Sequence, residues 1–116
     1  MKRIYHLSTC STCKKIIQEI NPSSDVQLID IKQTNIDEET LDWLKSKIGS
    51  YEALFSKRAI KYRDLAPNQI PVNDEDFKPL LLQEYTFLKR PFVIDGESIT
   101  IGNAKSEVLR AITFYK

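Results

Sequence analysis
The 116-residue sequence predicts an α/β domain: a parallel βαβ unit, a helical middle, and a β-hairpin followed by a last helix. Three observations carry that prediction. Two β-rich runs, residues 3–7 and 26–30, flank a stretch whose apolar residues recur at helical spacing, giving strand, helix and strand within about 30 residues. The middle of the chain keeps a helical pattern. Residues 92–101 then hold two β-rich runs around Asp95-Gly96. Hydrophobic residues make up 41% and charged residues 28%, with only 3 Gly and 5 Pro, which excludes disorder as the main state. A chain of this length buries about two-thirds of its unfolded surface, so one domain folds without disulfide staples.

Taken in order, Arg3-Ile4-Tyr5-His6-Leu7 reads as the first strand, and Ser8 to Thr12 as a polar turn. Ile16, Ile17 and Ile20 share a helical face, so a helix begins near Ser11 and ends at Asn21-Pro22-Ser23-Ser24. Residues 26–30 form the second strand. Thr34-x-x-Asp37 resembles a capping box, and Leu41, Leu44 and Ile48 make an apolar stripe that Gly49 stops. Trp43 reads as packing on that helix. Short helices follow at residues 51–55 and 58–65, and residues 66–71 read as a loop. Asn73 can cap a helix opening on Asp74, Glu75 and Asp76; Pro79 then either kinks it or begins a second helix. The helical pattern runs on through residues 80–87. The Asp95-Gly96 pair suits a two-residue type I′ turn, and a last helix turns Val108, Leu109 and Ile112 inward.

Composition narrows function. Net charge is +1, from 17 basic and 16 acidic residues, which argues against direct nucleic-acid binding because that needs a clear basic excess. With one His and two Cys, neither a multi-histidine nor a four-cysteine metal site can be built, so no metal is expected. No apolar run reaches the roughly 20 residues of a membrane span. No export signal follows Met1-Lys2-Arg3, so the expected compartment is the cytoplasm.

The informative residues are Cys10 and Cys13. Two cysteines placed at random in a chain this long would fall into C-x-x-C spacing in roughly one case in fifty. In a reducing compartment the pair is not a structural staple. The βαβ order puts Cys10 at a helix N-terminus, where unpaired N–H groups favour a thiolate. A free thiol ionises near pH 8.5, and lowering that by two units takes about 2.7 kcal/mol. A helix end supplies about 0.3–1 kcal/mol, at most about 2. Cations should therefore help: Lys14 and Lys15 are next in sequence, and Arg58 and Arg90 can arrive through the fold. Cys10, the outer thiol, is the candidate nucleophile, and Cys13 the candidate resolving thiol. The plain alternative is two small buried thiols with no chemistry. On the residues alone His6 is a packed strand-end histidine or a base. Arg90 reads as a solvated charge, Pro91 as trans, and the Lys57, Arg58, Lys61 and Arg63 group as a solvated helix face or an anion site.

The run Ile4-Tyr5-His6-Leu7-Ser8-Thr9-Cys10-Ser11-Thr12-Cys13-Lys14-Lys15, with residues 87–96 around Leu88-Lys89-Arg90-Pro91 and with Ile101-Gly102, resembles the arsenate reductase (ArsC)-like family. That family includes glutaredoxin-coupled arsenate reductases, Spx-type transcription regulators and YffB-like proteins. The resemblance spans essentially the whole chain. It implies a thioredoxin-like fold, a mixed four-stranded sheet in one domain over residues 1–116, with a helical insertion at about residues 34–87. It implies that Cys10 is the nucleophile, that Arg90 binds an oxyanion, that Pro91 is cis beside the site, and that His6 lies near the nucleophile. The arsenate reductases carry further arginines where this chain has Ser56 and Asn103, its own basic residues standing at Lys57 and Arg58. Cys13 resembles the second cysteine of the Spx-type C-x-x-C switch.

The expected function is a thiol-dependent reductase. Cys10 attacks an oxyanion such as arsenate, or a disulfide. Backbone N–H groups of the loop containing Ser11 and Thr12 hold negative charge, with Lys14, Arg90 and Arg58, and His6, Pro91 and Asn103 support the site. No cofactor is bound; glutathione with glutaredoxin, or thioredoxin, is the external reductant. The alternative is a redox-sensing regulator that binds RNA polymerase and switches by Cys10–Cys13 oxidation. A redox-inert interaction domain would keep the fold and lose the chemistry.

Overall fold
The structure, a computed structural model, describes residues 1–115. The chain divides into two compact units: Met1–Thr34 together with the chain from Arg90 onward, and Asn35–Lys89.

The first unit holds β1 (Lys2–His6), α1 (Ser11–Ile20), β2 (Gln27–Asp30), β3 (Phe92–Asp95), β4 (Ser98–Ile101) and an end helix, Lys105–Phe114. The strands form one sheet in the order β2-β1-β3-β4. β1 runs parallel to β2 and antiparallel to β3, and β3 is antiparallel to β4. The inner strand β3 reads Phe92-Val93-Ile94 without alternation because all three side chains are buried. Ile4, Ile16, Ile20, Val26, Val93 and Ala111 make the buried core, with Val108 and Ile112 packed against it. α1 buries Cys13, Ile16 and Ile20, a stripe at helical spacing. It stops at Asn21, whose φ of 49° is left-handed and whose N–H donates to the Ile17 carbonyl at 2.9 Å.

Two expectations are corrected in this unit. Asp95 pairs with Ser98, so the hairpin loop is Gly96-Glu97 rather than Asp95-Gly96. Only Gly96 there has positive φ, 61°, which is the type II′ pattern and not type I′. The Gly96 N–H donates to the Met1 carbonyl at 2.8 Å, a bond that fixes this register. On the end helix the inward residues are Val108, Ala111 and Ile112, whereas Leu109 is 55% exposed. The i, i+3, i+4 face that includes Ala111 cannot also include Leu109.

The second unit holds α2 (Glu38–Ile48), α3 (Ile60–Arg63), α4 (Phe77–Gln83) and short 3₁₀ turns, which makes the end helix α5. α2 is capped by Asp37, not by Thr34: the Asp37 carboxylate accepts from the Thr40 N–H at 2.9 Å. Gly49, at φ 113°, ends it. Leu41 and Leu44 are buried, but Ile48 is exposed. The stretch at residues 51–55 is a 3₁₀ turn at Glu52–Leu54, and a further one, Pro67–Gln69, lies in the expected loop. Pro79 neither kinks α4 nor begins it. It is the third residue of α4, inside the first turn, where no intrahelical N–H is needed. α4 ends at Gln83, and Tyr85–Phe87 is a separate 3₁₀ turn. Phe55 is the aromatic centre of this unit, 4.9 Å from Phe87, 5.0 Å from Phe77 and 5.5 Å from Tyr62 between ring centroids. Among the described residues, no helix is long and apolar enough to cross a membrane.

Candidate active site
The site is built where β1 hands over to α1. The Cys10 N–H donates to the Leu7 carbonyl at 3.0 Å, closing a turn over Ser8 and Thr9. Cys10 is extended (φ −95°, ψ 113°) and is the N-cap of α1, and the Lys14 N–H donates to its carbonyl at 3.1 Å. No side-chain oxygen caps α1 and no acid lies in its first turn. The sulfur therefore meets N–H groups that an Asp or Ser cap would otherwise take.

Cys10 is half-buried and Cys13 buried, and both thiols are free. Burial pushes the Cys10 thiol up, but the Cys13 N–H, the Cys13 thiol, the Thr12 N–H and the Arg90 charge outweigh it and hold the thiol below its ordinary range. Cys13 goes the other way. Burial first, then the neighbouring Cys10, push it up to about 11, against a Leu7 backbone hydrogen bond and Arg90. One cysteine is thus biased towards thiolate and the other is a protonated donor facing it.

The other residues singled out in the sequence fall as follows. Arg90 is half-buried just before β3, and its bond to Pro91 is cis, correcting the trans reading made from the residues alone. Pro91 is buried, and its carbonyl accepts from the Gly102 N–H at 2.9 Å. Asn103 is exposed next to that glycine, between β4 and α5. Ser11, Thr12 and Lys14 are exposed on the first turn of α1, and Thr12 acts on the Cys10 thiol through its N–H. His6 is half-buried at the end of β1, and its carbonyl accepts from the Ile31 N–H at 2.8 Å. Arg58 belongs to the unit Asn35–Lys89, where it is exposed ahead of α3.

The sequence reading missed Asp30. It ends β2 opposite His6, and its carboxylate accepts from the Ser8 N–H at 3.3 Å and the Lys32 N–H at 3.1 Å. The Ser8 hydroxyl first, then these N–H groups and the His6 charge, hold its carboxyl below the usual range against the effect of burial. The available signal was topological: parallel strands end on the same side, so the last residue of β2 lies beside the loop after β1. His6, Gln27, Leu28, Ile29, Asp30, Gln33 and Thr34 line a cavity of about 320 Å³ along β2. Among the described residues, no three His, Cys, Asp or Glu side chains converge as a metal centre requires.

A comparison with curated proteins finds no match. Among solved structures, a YffB protein superposes with a TM-score of 0.81 at 20% identity, over 97% of this chain and 100% of its own. An arsenate reductase from Vibrio cholerae gives 0.76 at 19% identity, over 95% of this chain and 96% of its own. SACOL0876 from Staphylococcus aureus gives 0.62 at 27% identity, over 95% and 97%. The mixed sheet with its helices is the thioredoxin-like fold of these proteins. The ArsC family model matches residues 5–111, and the chain belongs to the ArsC family.

Proposed function
We propose that this protein is a cytoplasmic thiol-dependent reductase whose nucleophile is the Cys10 thiolate. The observation that carries the reading is the placement of two thiols three residues apart: Cys10, half-buried at the N-terminus of α1 where no side chain caps the helix, is held below the ordinary range, and Cys13, buried one turn on, is pushed up. In a disulfide substrate, the Cys10 thiolate attacks one sulfur and the other sulfur leaves as a thiolate. In an oxyanion such as arsenate, the same sulfur displaces an oxygen that leaves as water, and a second thiol then attacks Cys10 so that the S–As electron pair reduces arsenic(V) to arsenic(III). The Thr12 and Cys13 N–H groups and Arg90 hold negative charge at the site, with Lys14, Ser11 and Asn103 as further contacts to the substrate.

Cys13 can resolve the adduct by attacking Cys10, leaving a Cys10–Cys13 disulfide that an external dithiol reduces. Burial disfavours the Cys13 thiolate, so glutathione with glutaredoxin, or thioredoxin, is the alternative resolving thiol. One observation favours a second reading. The Cys13 thiol already faces Cys10, which suits a disulfide switch in a regulator that binds RNA polymerase. The test is turnover of arsenate and of a small disulfide with glutathione and glutaredoxin, in wild type, Cys10→Ser and Cys13→Ser. Turnover that vanishes with Cys10→Ser and survives Cys13→Ser is expected. Zero turnover of both substrates, with polymerase retained only by the oxidised protein, overturns the reductase in favour of the regulator.

A further inference from the structure
We propose that Asp30 is a positioning residue for Cys10: its carboxylate pins the Ser8 N–H and so fixes the turn that aims the Cys10 sulfur at the first N–H groups of α1. The inference rests on the reading of Cys10 as the nucleophile. The Leu7–Cys10 turn has Ser8 and Thr9 as its interior residues; Thr9 is exposed, and Ser8 is tied to β2 through Asp30 Oδ1 at 3.3 Å. Asp30 is itself held firmly. Its carboxylate also takes the Lys32 N–H at 3.1 Å, and its backbone carbonyl accepts from Gln33 at 3.1 Å and Thr34 at 2.9 Å. The neighbouring Ile31 N–H closes the β1–β2 pairing on the His6 carbonyl at 2.8 Å. A rigid acceptor thus sits on one side of the turn and the N-terminus of α1 on the other. The benefit to the thiolate depends on direction: an N–H bond to sulfur weakens as the sulfur swings out of line.

The sign of the effect separates positioning from charge. A carboxylate acting through space opposes a nearby thiolate, so removing it would lower the Cys10 pKa. Loss of alignment raises it. The titratable and charged groups facing the pair are His6 from β1, Cys13 from α1 and Arg90 ahead of β3, while Lys32, in the turn after β2, meets Asp30 through its backbone N–H.

The experiment follows iodoacetamide alkylation of Cys10, located by mass spectrometry, against pH in the intact chain. It compares wild type with Asp30→Ala, Asp30→Asn and Asp30→Glu. Asp30→Ala is expected to raise the midpoint by about one unit, slowing alkylation about tenfold at pH below both midpoints. Asp30→Asn, whose amide oxygen still accepts from Ser8 and Lys32 while the charge is gone, keeps or lowers the wild-type midpoint. Asp30→Glu keeps the charge but displaces the acceptor by one methylene, and raises the midpoint; if Asp30→Ala does not fold, the Asn–Glu contrast decides. An unchanged or lowered midpoint in Asp30→Ala and Asp30→Glu, or an Asn variant raised as far as Ala, overturns the proposal. A wild-type midpoint in the ordinary cysteine range overturns the nucleophile reading alone, while the difference among variants still decides the role of Asp30.

Discussion
At Cys10 the opposing forces on one proton are close in size. Burial is the largest single influence and disfavours the thiolate; two backbone N–H groups, the Cys13 thiol and Arg90 together reverse it. The helix end contributes about 0.3–1 kcal/mol, at most about 2. Arg90 comes last among the causes, and a charge pair at a partly exposed site is worth about 0.2–1 kcal/mol. Arg90→Ala should therefore raise the Cys10 pKa by less than about one unit, read as the midpoint of alkylation rate against pH. Arg90→Lys restores the charge and should restore the midpoint, yet it should still raise KM for an oxyanion substrate, because an ammonium cannot replace the two-pronged guanidinium. A lowered midpoint in Arg90→Ala would contradict the attraction described here.

Elements are decided by their ends, and ends are where the sequence was least legible. The apolar spacing of α1 and the β-rich runs of β1 and β3 placed those elements closely, because buried stripes leave a periodic signal. Caps leave only a short polar motif that can recur nearby. Thr34 and Asp37 are both acceptable N-caps, but Asp37 alone accepts from the first turn of α2. Asp37→Ala should accordingly lower the urea midpoint by an amount equivalent to about 1 kcal/mol, whereas Thr34→Ala should move it by a few tenths at most. Equal losses would mean that the cap is shared. The hairpin turn moved for the same reason. Either Asp95-Gly96 or Gly96-Glu97 satisfies the local chemistry, and the Gly96 bond to Met1, from a distant part of the sequence, selects between them. Leu109 shows the converse limit, since an apolar residue one position off a helix's buried face is left exposed, and Ile48, in register with Leu41 and Leu44 but the last residue of α2, is exposed as well.

At the scale of the molecule, the site and the stability of the fold are linked through Cys13. The C-x-x-C spacing made the pair visible, but the opposite environments of its two thiols come from residues scattered along the chain: Leu7, Thr12 and Arg90 act on them, and Asp30 holds the loop between. In the unfolded chain Cys13 ionises in the ordinary thiol range, from about 8.5 to 9.0; in the fold it holds its proton to about 11. Between those values the unfolded state binds fewer protons than the native one, so stability falls as pH rises. The contribution is fully present below the ordinary thiol range and lost through about 11, a total of about 3 kcal/mol. Cys10 has the opposite sign: its contribution is present above the unfolded thiol value and is lost as pH falls through its lowered folded value. Tyr51 and Tyr115, each pushed up to about 12, weaken the fold in the alkaline range as well, so the readout is a difference. Urea midpoints of wild type and Cys13→Ala should be compared from about pH 8 to 11. The variant starts less stable, by the loss of buried sulfur, but its curve should be flatter, and the gap should narrow as pH rises. Parallel curves would mean that the Cys13 proton is not held by the fold, and with it would go the contrast on which the proposal of Cys10 as the nucleophile rests.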